Sequence, residues 1–214
     1  MPSVNTELVE AFSAKAGLVN AVVQEFPNMA SALQYVVDLC EKKPPCEMLA
    51  DEPGTEKGPL GPNGVPTRLK KIMAAPGVQE EVFKELEDLC KEKGIVLLRE
   101  GQSKYLAGID LGLSPAVCGV AASGTCMVNT TNEDARLAGM ISEVNVLLLN
   151  KNEIYSDLPA ITDILRQYMN AEPGTFTTLI TGPSRTADIE RVAAVGVHGP
   201  LELHIILLEE QAHA

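Results

Sequence analysis

Eight consecutive residues, Thr181-Gly182-Pro183-Ser184-Arg185-Thr186-Ala187-Asp188, combine groups of the types that could grip an anion. A strand running into Gly182 lets the backbone approach a ligand closely, and a helix after it would present free N–H groups. Thr181, Ser184 and Thr186 add hydroxyls, and Arg185 adds a planar fork suited to carboxylate or phosphate. Thr186 could equally cap that helix, with Asp188 and Glu190 offsetting its dipole. The run is neither a GxxxxGK[ST] loop nor a GxGxxG fingerprint. A second cluster is Ser123-Gly124-Thr125 followed by Arg136. There Gly124 permits a tight turn, Thr125 offers a donor, and Arg136 either reaches a ligand or pairs with Glu133 at i,i+3.

His198 lies in the Gly-flanked turn Val195-Gly196-Val197-His198-Gly199-Pro200, as a general base or as a hydrogen-bonded structural residue. Arg185 and His198 are therefore the candidates for chemistry. The remaining candidate ligand contacts are Gly124, Thr125, Arg136, Thr181, Gly182, Ser184, Thr186 and Asp188. His204 sits inside an apolar strand and reads as a core or sheet-face residue. No His, Cys and carboxylate spacing matches a metal site, and no serine sits in a G-x-S-x-G elbow. The cysteines are Cys40, Cys46, Cys90, Cys118 and Cys126, an odd number without a CxxC pair. They fit neither a disulfide framework nor a cluster-binding set, so a reducing cytoplasm is expected. Cys118 and Cys126 flank the Ser-Gly-Thr turn, as buried, inert thiols or as a reactive thiol beside it.

The elements that must position these groups alternate between short apolar runs and amphipathic stretches. Strands are expected at Leu18–Phe26, Ile95–Arg99, Val144–Leu149, Phe176–Ile180 and Leu203–Leu208, with more strand across Ala116–Val128. Asn28 caps a helix carrying Met29, Leu33, Val36, Val37 and Cys40, stopped by Pro44 and Pro45. Val78, Val82, Phe83, Leu86, Leu89 and Cys90 share a second helical face. Thr130 and Glu133 match a capping box for a short helix, and Ser156 caps another that runs to about Asn170. Half of residues 51–66 are Gly or Pro, marking a surface loop or a lid. An N-terminal portion, 1–66, thus precedes a main core, 67–214, within one structural domain spanning 10–209. Strand–crossover–strand repetition with nearly continuous apolar strands predicts α/β class, a mostly parallel sheet with helices on both faces.

The chain has 214 residues, 17 Lys+Arg against 29 Asp+Glu, and a net charge of −12. Such an acidic surface repels phosphate backbones and anionic lipid, so nucleic acid and membrane are not expected partners. The N-terminal stretch is acidic and lacks the apolar run of a signal peptide, and no stretch approaches the ~18 apolar residues of a membrane span.

The run T-G-P-S-R-T-A-D-I-E followed by G-V-H-G-P resembles the lactate-utilisation protein C (LutC/YkgG) family, built on the LUD domain. Gly119–Val128, Glu133-Asp134 leading to Arg136, and a strand at Val144 extend the likeness over about 10–209. The resemblance implies a NagB/RpiA/CoA-transferase-like sheet and a cytoplasmic role in oxidising L-lactate to pyruvate. It also implies iron–sulfur and cysteine-rich partner proteins that carry the clusters, this chain holding no cofactor itself. On that reading the chain is an accessory or ligand-binding subunit with a small anionic ligand. The alternatives are an independent enzyme acting on a small phosphorylated or carboxylated metabolite, and a self-associating module that forms a homo-oligomer. Two positions depart from the family pattern: Ala122 replaces a frequent acidic residue before the turn, and Asn145 replaces a frequent His.

Overall fold

A computed structural model describes residues 4–48, 52, 55–170, 174–187, 193–195 and 199–209. The chain begins with helix α1 (Thr6–Leu18), where the Asn5 side chain accepts from Leu8 N and Val9, Phe12 and Ala16 form the buried stripe. Strand β1 (Ala21–Phe26) follows directly. The expected strand from Leu18 therefore starts three residues later, because Leu18 closes α1 and Asn20, at φ 66°, makes the turn. Asparagine tolerates that left-handed conformation better than the surrounding β-branched residues would. Helix α2 (Met29–Lys42) is capped by Asn28, which accepts from Ser31 N. The Pro/Gly-rich stretch then forms a hairpin, β2 (Lys57–Leu60) and β3 (Pro66–Arg68), instead of a plain loop.

Strand β4 (Ile72–Ala74), helix α3 (Glu80–Glu92), strand β5 (Val96–Leu98) and strand β6 (Ile109–Pro115) come next. Strands β7 (Cys118–Val120) and β8 (Thr125–Asn129) enclose the Ser-Gly-Thr turn and lead to helix α4 (Glu133–Ile141) and strand β9 (Ser142–Asn150). The short strand β10 (Ile154–Tyr155), helix α5 (Thr162–Asn170) and strand β11 (Thr177–Ile180) follow. A small antiparallel pair, β12 (Arg185–Ala187) and β13 (Ala193–Val195), precedes the last strand, β14 (Glu202–Leu208).

Six strands form one fully parallel sheet in the order β1-β14-β9-β6-β4-β5. Leu111, Leu113, Val144, Val146 and Leu148 turn to one face, against Leu33, Val36 and Val37 of α2 and Leu86 of α3. Leu147, Leu149, Ile205 and Leu207 turn to the other and meet Val9, Phe12 and Ala16 of α1. Ile72 and Ala74, which flank Met73 in β4, meet Ala138 of α4 on that second face. A four-stranded sheet, β10-β7-β8-β11, is layered there as well, through Cys126, Val128 and Ile180. Covering both faces of the central sheet is what makes its strands nearly continuous apolar runs.

Four local expectations change. The apolar run Ile95–Arg99 predicts a buried strand, but β5 lies at the sheet edge and is half-buried. Asn132, not Thr130, caps α4, its side chain accepting from Asp134 N, while Thr130 Oγ1 bonds Thr178 Oγ1 at 2.9 Å. Before α5 a 3₁₀ turn, Pro159–Ile161, intervenes, and Asp157, not Ser156, accepts from Ala160 N. Residues after Gly182 form strand β12 where a helix was expected, because Arg185–Ala187 find backbone partners in Ala193–Val195.

Candidate functional site

From β4 the chain steps outward to β5, and β6 then joins the opposite side of β4. The sheet's growth reverses at that seam, and an open α/β sheet characteristically leaves a crevice at the carboxyl ends beside such a reversal. Two hollows lie in this region. The larger, about 570 Å³, sits beyond the ends of β4, β6 and β9, against Gly77, Pro115 and Asn150. The smaller, about 460 Å³, lies between the second face of the central sheet, α4 and β11. Ser114, Val128 and Ala135 line both, so the two share a wall.

Four of the ten expected ligand contacts fall at the smaller hollow. Arg136, Thr181, Gly182 and Ser184 line it. Arg136 comes from the first turns of α4, and its guanidinium lies 5.4 Å from the Phe176 ring centroid instead of pairing with Glu133. That stacking holds the fork flat while leaving its N–H groups for a ligand. Ser184 is anchored by its backbone N–H, which donates to Pro200 O at 3.0 Å. Thr181 Oγ1 meets Thr125 Oγ1 at 2.8 Å, and Thr125 Oγ1 in turn meets Ser123 Oγ at 2.6 Å. This hydroxyl chain joins the two glycine turns, although Gly124 and Thr125 do not line the hollow.

Both glycines have a packing reason. Gly182 has φ 77°, and a Cβ there would stand 2.5 Å from Val19 O. Gly124 has φ 66°, and a Cβ there would collide with the Ala16 backbone. The C-terminal end of α1 therefore rests directly on both turns. Arg185 is exposed, its Nη2 donating to Val19 O at 3.4 Å, and it lines neither hollow. Thr186 is a strand residue whose backbone pairs with Ala194. Asp188 and His198 lie outside the described residues.

Two residues on the sheet complete the smaller hollow and were not singled out for ligand binding by the sequence. Asn145 and Ser114 are each 2% exposed, on β9 and β6, and both line it. Asn145 pairs with Gly112 and Ser114 with Leu147, so Asn145 and Ser114 share one face of neighbouring strands. Asn145 Oδ1 and Ser114 Oγ have no hydrogen-bond partner among the described residues. A buried polar group without a partner is costly, and one beside a hollow is positioned to meet a ligand. The available signal was a lone polar residue in each of two apolar runs, Ser114 in LGLSP and Asn145 in VNVLLL.

The cysteines stand apart from this chemistry. Burial pushes the Cys118 thiol up to about 11, aided by the Glu153 carboxylate, and burial also raises Cys126. Both are fully buried, so neither offers a thiolate to a ligand. His204 is buried on β14, with Nδ1 at 2.8 Å from Tyr35 Oη and Nε2 at 3.1 Å from Glu202. It is engaged at the sheet surface facing α2.

A family model described as the LUD domain matches residues 9–208. An uncharacterized protein of Neisseria meningitidis serogroup B is 33% identical over 107 residues, 50% of this chain and 46% of that protein. The uncharacterized protein YkgG of Escherichia coli is 26% identical over 188 residues, 87% of this chain and 73% of its own length. Lactate utilization protein C 1 of Bacillus mycoides is 27% identical over 115 residues, 53% of this chain and 49% of that protein. For the first and third, the match spans about half the relative's length. The crystal structure of a DUF162 family protein from Deinococcus radiodurans superposes with a TM-score of 0.55, covering 97% of this chain and 99% of that one. At 12% identity that likeness shows the fold. Among the described residues no helix is long and apolar enough to cross a membrane.

Proposed function

The chain belongs to the LUD domain family, and from that premise we propose that it serves lactate utilisation in the cytoplasm as a ligand-binding, accessory subunit. Its ligand is a small carboxylate, of the lactate or pyruvate type, held in the hollow of about 460 Å³. That volume lies within the roughly 300–1,000 Å³ of small-molecule sites. One observation carries the reading: a guanidinium held over an aromatic ring faces a hollow with two buried, unpartnered polar groups on its floor. Arg136 would take the carboxylate, while Asn145 and Ser114 would meet the neighbouring hydroxyl or keto oxygen. Among the described residues lining the hollow there is no carboxylate, imidazole or thiol. Binding is therefore better supported than proton abstraction, and oxidation is assigned to iron–sulfur and cysteine-rich partner proteins.

The test is thermal denaturation and calorimetric titration of the whole chain with L-lactate and pyruvate, with and without Arg136→Ala. Ligand at 100-fold its Kd should add about 2.7 kcal/mol of stability. Arg136→Ala should remove that increment. Co-purification with a co-expressed iron–sulfur protein is expected. Absence of any lactate- or pyruvate-dependent shift overturns the ligand assignment, and consistent failure to co-purify overturns the accessory role.

A further inference from the structure

The larger hollow shares a wall with the smaller one but differs from it in charge. It lies at the carboxyl ends of β4, β6 and β9, beside the seam where the sheet reverses, and among the described residues its lining holds no Lys, Arg or His. Its ionisable acid is Glu153, whose Oε2 accepts from Tyr155 Oη at 2.9 Å. An anion is disfavoured there. Ser114 Oγ, buried and unpartnered, reaches this hollow as well.

Three asparagines give it a directional pattern. Asn129 Oδ1 accepts from Thr131 N at 3.0 Å, Asn132 Oδ1 from Asp134 N at 2.7 Å, and Asn150 Oδ1 from Asn152 N at 2.9 Å. Each carboxamide thus has its oxygen engaged by backbone two residues on, the local turn that asparagine favours. Their amino groups have no hydrogen-bond partner among the described residues, so each can serve as a donor where it lines the hollow. Donors from Asn129, Asn132 and Asn150 therefore stand with one carboxylate acceptor, Glu153. The remaining walls include Val117, Val128, Ile164 and the rings of Tyr155 and Tyr168.

We propose that this hollow is a second binding site, separate from the carboxylate site, for an uncharged heteroaromatic ring of the nucleobase class. Such a ring confines its hydrogen-bonding groups to its edge. Ring oxygens or nitrogens face the asparagine amino groups, and an N–H faces Glu153. Its two apolar faces lie against the tyrosine and aliphatic walls. A sugar fits less well, because its hydroxyls project all around the ring and the apolar walls would leave several unpaired. The volume of about 570 Å³ accommodates a nucleoside.

The test is calorimetric titration of the whole chain with adenosine, guanosine, cytidine and uridine, with glucose and inorganic phosphate as comparisons. At least one nucleoside should bind, glucose and phosphate should not compete with it, and saturating lactate should not displace it. Glu153→Gln keeps an oxygen for Tyr155 and removes the charge. Asn129→Asp keeps the bond to Thr131 N and removes only the amino donor. Each should weaken nucleoside binding about tenfold, the scale of one lost hydrogen bond. Arg136→Ala should abolish lactate binding while nucleoside binding persists, so the two site assignments fail separately. The proposal is overturned if no nucleoside binds at millimolar concentration or if glucose binds in place of nucleosides. It is also overturned if affinity falls with Arg136→Ala while both conservative variants, verified as folded by their melting curves, bind like the parent.

Discussion

Replacing Asn145 by leucine should stabilise the unliganded protein while destroying its affinity for a small carboxylate. Asn145 is 2% exposed on a sheet face otherwise occupied by Leu147 and Leu149, and its Oδ1 has no partner among the described residues. Leaving such a group unsatisfied costs about 1–3 kcal/mol. Leucine removes that cost and adds apolar contact, and the adjoining hollow of about 460 Å³ gives its methyl groups room. Overpacking, the usual penalty for a bulkier core residue, is thereby avoided. A gain of about 1–3 kcal/mol at this chain length raises Tm by roughly 2–4 °C for each kcal/mol. Thermal denaturation by circular dichroism measures the shift, and calorimetry with L-lactate measures the loss, expected to be at least about tenfold. A lower Tm for Asn145→Leu would refute the reasoning, because it would show that the carboxamide is satisfied in the native state and holds the sheet together.

The other expectations concern separate parts of the site and its supports. Arg136→Lys should keep a cation but lose the planar fork, retaining lactate affinity between that of the parent and that of Arg136→Ala in parallel titrations. Arg185→Ala removes an exposed side chain with one 3.4 Å bond to Val19 O, so stability should change by less than about 0.5 kcal/mol and lactate affinity should hold. Gly182→Ala forces a left-handed backbone on an L side chain and drives a Cβ to 2.5 Å from Val19 O. It should cost about 2–4 kcal/mol in chemical denaturation. Burial above all pushes Cys40 and Cys90 up to about 12 and Cys118 up to about 11, from 9.0. The folded chain then holds protons that the unfolded chain releases, so stability is intact below pH 9.0 and falls as pH rises toward 11 and 12. Denaturation midpoints measured across that interval check the sign. All five thiols should resist a disulfide-exchange reagent until denaturant is added, since all are buried.

The parallel sheet was legible because its strands, such as Val144–Leu149, are buried on both faces and therefore read as unbroken apolar runs. Helix α2 was legible for the same local reason, with Asn28 as cap and Pro44-Pro45 as stop. What stayed hidden depends on contacts remote in sequence. The run after Leu18 looks like one strand until Asn20 is seen to turn, and α1 gives little periodic signal beyond Val9, Phe12 and Ala16. Gly182 reads locally as a ligand glycine, yet its close neighbour is Val19, some 160 residues earlier. Arg136, Thr181, Gly182 and Ser184 were identifiable by residue type and do surround one hollow. Arg185, the most suggestive side chain of its motif, points to the end of α1 because β12 pairs as a strand where a helix had been expected. Asn145 and Ser114 needed the pairing of β6 with β9 before their shared face could be recognised.

The pairing of β1 with β14 alone has a consequence for how the protein is made. Among the described residues Ala21–Phe26 finds its strand neighbour in Leu203–Leu208, some 180 residues later. On the ribosome, β1 must wait for its neighbour in the sheet until β14 has been translated. Closing so long a loop is entropically slow, and an unpaired apolar strand held open for that interval is a target for holdase chaperones. Strands β1 and β14 therefore take their places beside each other in a late event. Synthesis halted before β14 would leave β1 without its place in the sheet.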